Sequence, residues 1–317
     1  MGRLAKPRVV VIGELNVDIV ATGLRELPQL GEEILAQDLE LTLGSASAIF
    51  ATGIAKLGHP VTFISQTGAD DFGDRCISEL RAAGVSTSHV SRTRRDRTGI
   101  TIALSAGRDR ALITYPGAIA TLLYPQLNIS LLKGHQHLHM TSYFLQTGLR
   151  PQFPRIFRQA RSMGLTTSFD PNSDPTCTWN VRIHDVLAHT DVLFVNEREA
   201  LQLARARGLS KALSTLGELV SCAVIKRGRQ GSVAIKEGEV TSAAGFKVEA
   251  IETTGAGDSF AAGYVSAYLR GLSVAECLAT ANACGALSTK RPGGTAGQPD
   301  EKQLRTFLGA ANKRSPS

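Results

Sequence analysis

The chain has 317 residues, 43% hydrophobic and 20% charged, an ordinary globular balance with apolar material for one large core or two lobes. Its 35 Lys and Arg against 28 Asp and Glu leave a charge of +7, which suits a nucleic acid, a membrane surface or a small anion. The 31 glycines beside only 5% aromatics argue against stacking platforms for single-stranded nucleic acid, and toward backbone loops that approach a ligand closely.

The N-terminus runs into a strand-like segment with no apolar leader or cleavage site, and no apolar run nears the ~20 residues of a membrane span. The five cysteines (Cys76, Cys177, Cys222, Cys277, Cys284) are scattered and form no CxxC, so they read as reduced thiols. The expectation is a soluble cytoplasmic protein with no nucleic-acid or membrane partner.

Short β-branched runs then alternate with helix-period stretches. Expected strands are Arg8–Ile12, Val61–Ser65, His137–Ser142, Thr166–Asp170, Val192–Val195 and Ala223–Lys226. Between them the periodicity predicts helices over Ser47–Leu57, Phe72–Ala83, Gln152–Met163, Glu197–Ala206 and Lys211–Leu219, followed by Val274–Thr289 and Glu301–Lys313. This rhythm implies an α/β fold, a mostly parallel central sheet covered on both faces. Two segments break it: Glu33–Leu43 alternates, and Thr98–Ser105 with Ala111–Tyr115 reads as a hairpin around Gly107–Arg110. They predict a small antiparallel sheet, a lid of about residues 16–43 and 98–115 inserted into a single domain spanning 1–317. The basic run Arg92–Arg97 beside it reads as a solvated linker.

Several suggestive fragments carry little. Val233–Lys236 and Asp71–Gly73 spell protein-kinase motifs in the wrong order, with no HRD loop between them. There is no GxxxxGK[ST], and Gly13–Asn16 after the first strand is not GxGxxG. His135, His137 and His139 recur at period two and would share one strand face, where they could hold zinc; no carboxylate follows, and a structural role is the simpler reading.

The segment that carries chemistry is Glu252-Thr253-Thr254-Gly255-Ala256-Gly257-Asp258-Ser259-Phe260. Phe260, Tyr264, Val265, Tyr268 and Leu269 continue it at helical spacing. A glycine-rich turn therefore delivers Asp258 to a helix N-terminus, where the N–H groups of Gly255, Ala256 and Gly257 form an anion site. Asp258 could serve only as an N-cap, but a cap does not require Gly-Ala-Gly before it. An anion hole beside a carboxylate suits phosphoryl transfer to an alcohol: charge stabilisation and a base for the hydroxyl.

This stretch resembles the C-terminal signature of the ribokinase-like carbohydrate kinases, the PfkB family, and the resemblance extends over the whole chain. Asn16 and Asp18 match the family's sugar-binding N-x-D, and Gly44-Ser45-Ala46-Ser47-Ala48 stands where its substrate loop belongs. Gly68–Gly73 matches G-D-x-x-G, Asn196–Glu199 matches N-x-x-E, and Lys226–Gly231 the nucleotide loop. The resemblance implies a three-layer αβα sandwich with a β-sheet lid, ATP and Mg2+ as cofactors, and a homodimer. It implies Asp258 as the base and Gly255, Ala256 and Gly257 as the catalytic anion hole. Sugar binding falls to Asn16, Asp18, Gly44, Ser45, Ser47, Asp170 and Asn172. Nucleotide binding falls to Asn196, Glu199, Lys226, Gly228, Gly231, Gly257 and Asn282, with Glu199 reaching Mg2+ through water.

Departures bear on the substrate. Ser45 and Ile49 stand where the family has a second glycine and an asparagine, a loss that shifts hydroxyl recognition. Asp170–Trp179 is similar to a D-x-N-x-R-x-x-L-W segment of fructokinase and 2-keto-3-deoxygluconate kinase members, without the arginine and one residue longer. Glu252 replaces an aspartate at a loop where, with Thr254, a monovalent cation such as K+ is expected. Two other functions stay open: a nucleoside kinase with Ile49 and Phe50 walling the base, and a catalytically silent sugar- or nucleotide-binding protein.

Overall fold

The structure, a computed structural model, describes residues 6–106, 109–179 and 182–312. Among the described residues thirteen strands and ten α-helices follow in chain order. They begin β1 (Val9–Ile12), β2 (Asn16–Leu24), β3 (Asp38–Leu43), α1 (Ala46–Lys56), β4 (Val61–Gly68), α2 (Asp71–Ala82), β5 (Ser86–Thr93), β6 (Gly99–Ala106) and β7 (Asp109–Tyr115). There follow α3 (Ala118–Thr121), β8 (His137–Thr141), α4 (Phe153–Ser162), β9 (Thr166–Asp170), α5 (Ile183–Leu187), β10 (Val192–Asn196), α6 (Glu197–Leu203) and α7 (Leu209–Leu219). The last are β11 (Cys222–Lys226), β12 (Ser232–Lys236), β13 (Glu239–Ala243), α8 (Ala256–Tyr268), α9 (Val274–Ser288) and α10 (Glu301–Asn312).

Nine strands form one sheet in the order β13-β12-β11-β10-β9-β8-β1-β4-β5, parallel except for β12 and β13 at one edge. Its centre is buried on both faces, as its continuous apolar strands require. In β1 the four residues are fully buried and alternate: Val10 and Ile12 face a core with Phe157 of α4, Val9 and Val11 one with Phe50 of α1 and Tyr264 of α8. Each such side chain contributes about 1.5–3 kcal/mol of burial. The result is the three-layer sandwich expected from the alternation.

The second sheet has the order β3-β2-β6-β7. Its outer pairs are antiparallel, but β2 and β6 run parallel, because the chain between them returns through α1, β4, α2 and β5. Several expectations shift. Of Glu33–Leu43 only Asp38–Leu43 is strand, and β2, β5, β12 and β13 were not anticipated as strands. The turn at Gly107–Arg110 falls partly outside the described residues, at positions 107 and 108, as does the tail from 313. Arg92 is the last residue but one of β5 and pairs with Asp74 at 2.7 Å.

The three clustered histidines are buried and packed. His135 meets Thr62 Oγ1 at 3.0 Å, His137 sits between Thr166 and Ser168, and His139 bonds Ser168 and stacks on Phe50 with ring centroids 3.5 Å apart. Among the described residues no cluster of three or more His, Cys, Asp or Glu is arranged to hold a metal, and no helix is long and apolar enough to cross a membrane.

Candidate active site

The expected site residues gather at the carboxyl ends of the parallel strands, where α/β sheets place their ligands. Chain leaving β1 carries Asn16 and Asp18, β9 ends in Asp170, β10 in Asn196 and β11 in Lys226, while α8 points its N-terminus at the same place.

Gly255 opens α8 with φ +69°, and a Cβ there would meet the backbone of Gly294 at 2.8 Å. Only glycine suits both the left-handed turn and that contact. The turn opens the first amides of α8 beside Asp258, and of these the Ala256 N–H donates to the Thr253 carbonyl at 3.2 Å. Lys226 lies against this end of the helix: a Cβ on Gly257 would stand 3.3 Å from its Nζ. The ammonium is 2.5 Å from Asp170 Oδ2, and that carboxylate is 1% exposed. Burial would lower the Lys226 pKa, but Asp170, Glu199 and Asp258 outweigh it and hold the ammonium charged. Asp258 is half-buried in the first turn of α8; burial and then the Asp170 charge push its carboxyl up to about 8, against the opposing pull of Lys226. A carboxyl poised near neutrality can accept a proton from a hydroxyl.

Asn196 and Glu199 form a capping box on α6. The Asn196 Oδ1 accepts the Glu199 N–H at 2.9 Å, and Glu199 Oε2 accepts the Asn196 N–H at 2.8 Å. The cap and the site role use the same carboxylate: Ser173 Oγ donates to Oε1 at 2.9 Å, and Lys226 counters the burial that raises the Glu199 pKa. Oxygen donors of this kind suit a hard cation held through water.

A cleft of about 570 Å3 runs beside α8. Lys226, Gly228, Gly231, Gly257 and Asn282 line it as expected, and so does the segment Gly245–Val248, which carries no motif. Asn282 donates from Nδ2 to the carbonyls of Ala243 and Ala244 at 3.1 and 3.2 Å, fixing that segment against α9.

On the other side of Asp170, Asn16 Nδ2 donates to Asp18 Oδ1 at 2.9 Å. Gly44 packs so closely on this pair that a Cβ would lie 2.0 Å from Asp18 Oδ1. Ser45 caps α1, with Ala48 N donating to its Oγ at 3.0 Å, and Ser47 is fully buried. Both hydroxyls turn to Glu14, a buried carboxylate the motifs did not single out. The one available signal was a charge directly after an apolar strand, in Gly13–Asn16. Asn172 bonds Ser142 Oγ at 3.1 Å. Ile49 and Phe50 do not wall a base: both are buried, Ile49 against Gly255 and Gly294, Phe50 against His139. Glu252 accepts the N–H of Thr254 at 2.6 Å and of Gly293 at 3.2 Å, joining two loops by its own carboxylate.

Known proteins resemble this chain in sequence and in fold. The model of the pfkB family carbohydrate kinases matches residues 6–301. A 2-dehydro-3-deoxygluconokinase of Bacillus subtilis is 29% identical over 84% of this chain and 87% of its own. An ATP-dependent ribose-1-phosphate kinase of Halopiger xanaduensis is 28% identical over 95% of this chain and 98% of its own. The crystal structure of a putative ribokinase II from E. coli in complex with ATP and Mg2+ superposes with TM-score 0.85 at 27% identity, covering 97% of this chain and 100% of that one.

Proposed function

The chain belongs to the pfkB family of carbohydrate kinases, phosphotransferases with a hydroxyl acceptor, and we propose that it moves the γ-phosphate of ATP to a hydroxyl of a small sugar of the ribose, fructose or 2-keto sugar class. The observation that carries this reading is Asp258 beside the amides of Gly255, Ala256 and Gly257, with Lys226 against Gly257. Asp258 takes the proton of the attacking hydroxyl as the new O–P bond forms and ADP departs. The amides and Lys226 stabilise charge on the transferring group.

The cleft lined by Gly228, Gly231, Gly245–Val248 and Asn282 takes the nucleotide. Asn196 and Glu199 are the residues that would hold Mg2+ through water, and the ion would supply neutralisation of the phosphates. Asn16, Asp18, Gly44, Asp170 and Asn172 line the sugar side, with Ser45 and Ser47 behind them. Glu252 and Thr254 stand where the resemblance places a monovalent cation, and the Glu252 carboxylate, bridging Thr254 and Gly293, takes the place of that ion.

The four-stranded sheet serves as the lid of one kinase domain, closing over the sugar and limiting hydrolysis of ATP by water. Leu39, Ile102, Leu112, Ile113 and Tyr115 are exposed on it, an apolar surface fitted to a second copy of the chain. The test is ATP-to-ADP turnover over a panel of sugars and nucleosides with wild type and Asp258→Asn. Turnover of a sugar that the variant loses supports the reading; equal turnover in the variant overturns it.

A further inference from the structure

Glu14 lies two residues beyond β1, is 2% exposed, and has no cation within ion-pair distance among the described residues. Both of its oxygens are nevertheless hydrogen-bonded. Oε1 accepts the Ser47 N–H at 3.1 Å and the Ser142 hydroxyl at 2.8 Å; Oε2 accepts the Ser47 hydroxyl at 2.6 Å and that of Thr141 at 3.1 Å. The Ser47 and Thr141 hydroxyls are also 2.7 Å from each other, so the Thr141 proton is shared between Ser47 and Glu14, and three donors, the Ser47 N–H and the Ser47 and Ser142 hydroxyls, serve the carboxylate outright. A buried carboxylate without a cation is costly, so a set of donors gathered from two other segments points to a retained purpose.

A second observation is independent of the bonding. Ser45, Ser142 and Asn172 have φ of +71°, +52° and +55°, the left-handed region that non-glycine residues rarely adopt. Such residues persist where their surroundings over-determine them, and they collect at functional sites. These three lie on three different loops and all belong to the Glu14 network. Ser45 Oγ stands 2.6 Å from the Glu14 carbonyl oxygen and 3.2 Å from Oε1, Ser142 bonds Oε1, and Asn172 bonds Ser142.

We propose that Glu14 is the positioning residue of the sugar pocket, holding the loops of Ser45, Ser142 and Asn172 and, through Ser142, setting the direction of the Asn172 amide. This rests on the reading of Asn16, Asp18 and Asp170 as the sugar side. The direction follows from the chemistry of the carboxylate, which only accepts. Ser142 must give it its single proton, so the Ser142 oxygen can only accept from Asn172, and Asn172 turns its Nδ2 inward at 3.1 Å. Asn172 Oδ1 is thereby left as an acceptor for a donating hydroxyl of the substrate. Glu14 also bears on the base. Burial raises the Asp258 pKa most, Asp170, Glu14 and Asp18 add to it, and Lys226 opposes them.

The test uses Glu14→Gln, which keeps the shape but presents an N–H where Ser47 or Ser142 needs an acceptor, and Ser142→Ala, which cuts the link to Asn172. In both, KM for the sugar rises about ten- to a hundredfold while KM for ATP is unchanged. The titration midpoint of Asp258, read by 13C NMR of its carboxyl on the protein alone, falls in Glu14→Gln and stays in Ser142→Ala. An unchanged sugar KM with an unchanged Asp258 midpoint in Glu14→Gln overturns the proposal, and so does an equal rise in both KM values. If Glu14→Gln does not fold, the sugar KM of Ser142→Ala decides. If the wild type phosphorylates no sugar, the functional reading fails, and the Asp258 midpoint still decides the role of Glu14.

Discussion

The Lys226 ammonium lies 2.5 Å from Asp170 and against the face of Gly257, so one cation joins the floor of the sheet to the N-terminus of α8. Three carboxyl groups, those of Asp170, Glu199 and Asp258, act on it together. Removing it leaves Asp170 buried and unpaired and takes positive charge from the anion hole. Lys226→Met is expected to lower kcat by about 10²–10³-fold and stability by roughly 3–5 kcal/mol. Lys226→Met with Asp170→Asn restores most of the stability and none of the activity. Thermal melts and turnover assays on the single and double variants check both statements.

Asp258 acts as a base only when ionised, and its pKa is pushed up to about 8. For the free enzyme, kcat/KM for the sugar therefore climbs with pH and levels above about 8. Stability runs the other way. The folded state holds this proton more tightly than the unfolded chain, so the penalty is absent below the ordinary aspartate range and grows as pH rises toward 8. Asp258→Asn is expected to abolish the rising limb, lower kcat by about 10²–10⁴-fold and raise the melting temperature at pH 8. A pH–rate profile beside melts at pH 5 and pH 8 measures all three.

His137 is fully buried and held neutral, its pKa pushed down to about 3 by burial and then by His59; His139 is lowered by the same burial and by His137 and Lys226. The unfolded chain takes up these protons near pH 6.5 and the folded one does not. The contribution of His137 is thus full above pH 6.5 and is lost with acid, by about 1.4 kcal/mol per pH unit between pH 6 and 4, and that of His139 is lost in the same direction. His137→Gln is expected to flatten part of that slope. A loss of stability that begins only below pH 4 contradicts the argument.

Glu252 carries a fixed negative charge to the junction of the 252–254 and 290–294 loops and satisfies the amides of Thr254 and Gly293. Turnover is expected to differ less than about twofold between potassium and tetramethylammonium buffers. Glu252→Ala, which frees two backbone donors, is expected to cost about 1–3 kcal/mol of stability if they stay dry. It should also raise KM for ATP. Strong potassium activation of the wild type would show that the bridge does not replace a cation.

The central strands and the anion turn were legible because each obeys a local rule: the buried run of β1, or the glycines that bring Asp258 to the start of α8. Edge strand β5, Ser86–Thr93, escaped because its residues are mostly polar and mostly exposed or half-buried, so no apolar run marks it. The strand β2 was hidden by its role, since Asn16 and Asp18 read as a ligand motif before they read as sheet. Glu14 could not be weighed at all: its meaning lies in Ser47, Thr141 and Ser142, which no spacing rule connects to it. The Ile49 and Phe50 pair misled because apolar residues beside a substrate loop turn inward as readily as outward.

The parallel pairing of β2 with β6 joins Asn16 to Gly99 across about 80 residues of chain. Contacts that distant form late, after the closer ones have shortened the loop between them. The smaller sheet therefore cannot assemble until α1, β4, α2 and β5 have folded beneath it. During refolding the short-range antiparallel run β11-β12-β13 should be protected from hydrogen exchange before Asn16 and Asp18 are. On the ribosome emergence sets the order instead: β2 and β6 leave before α8 has been made, so the sugar wall can close before the phosphate end exists.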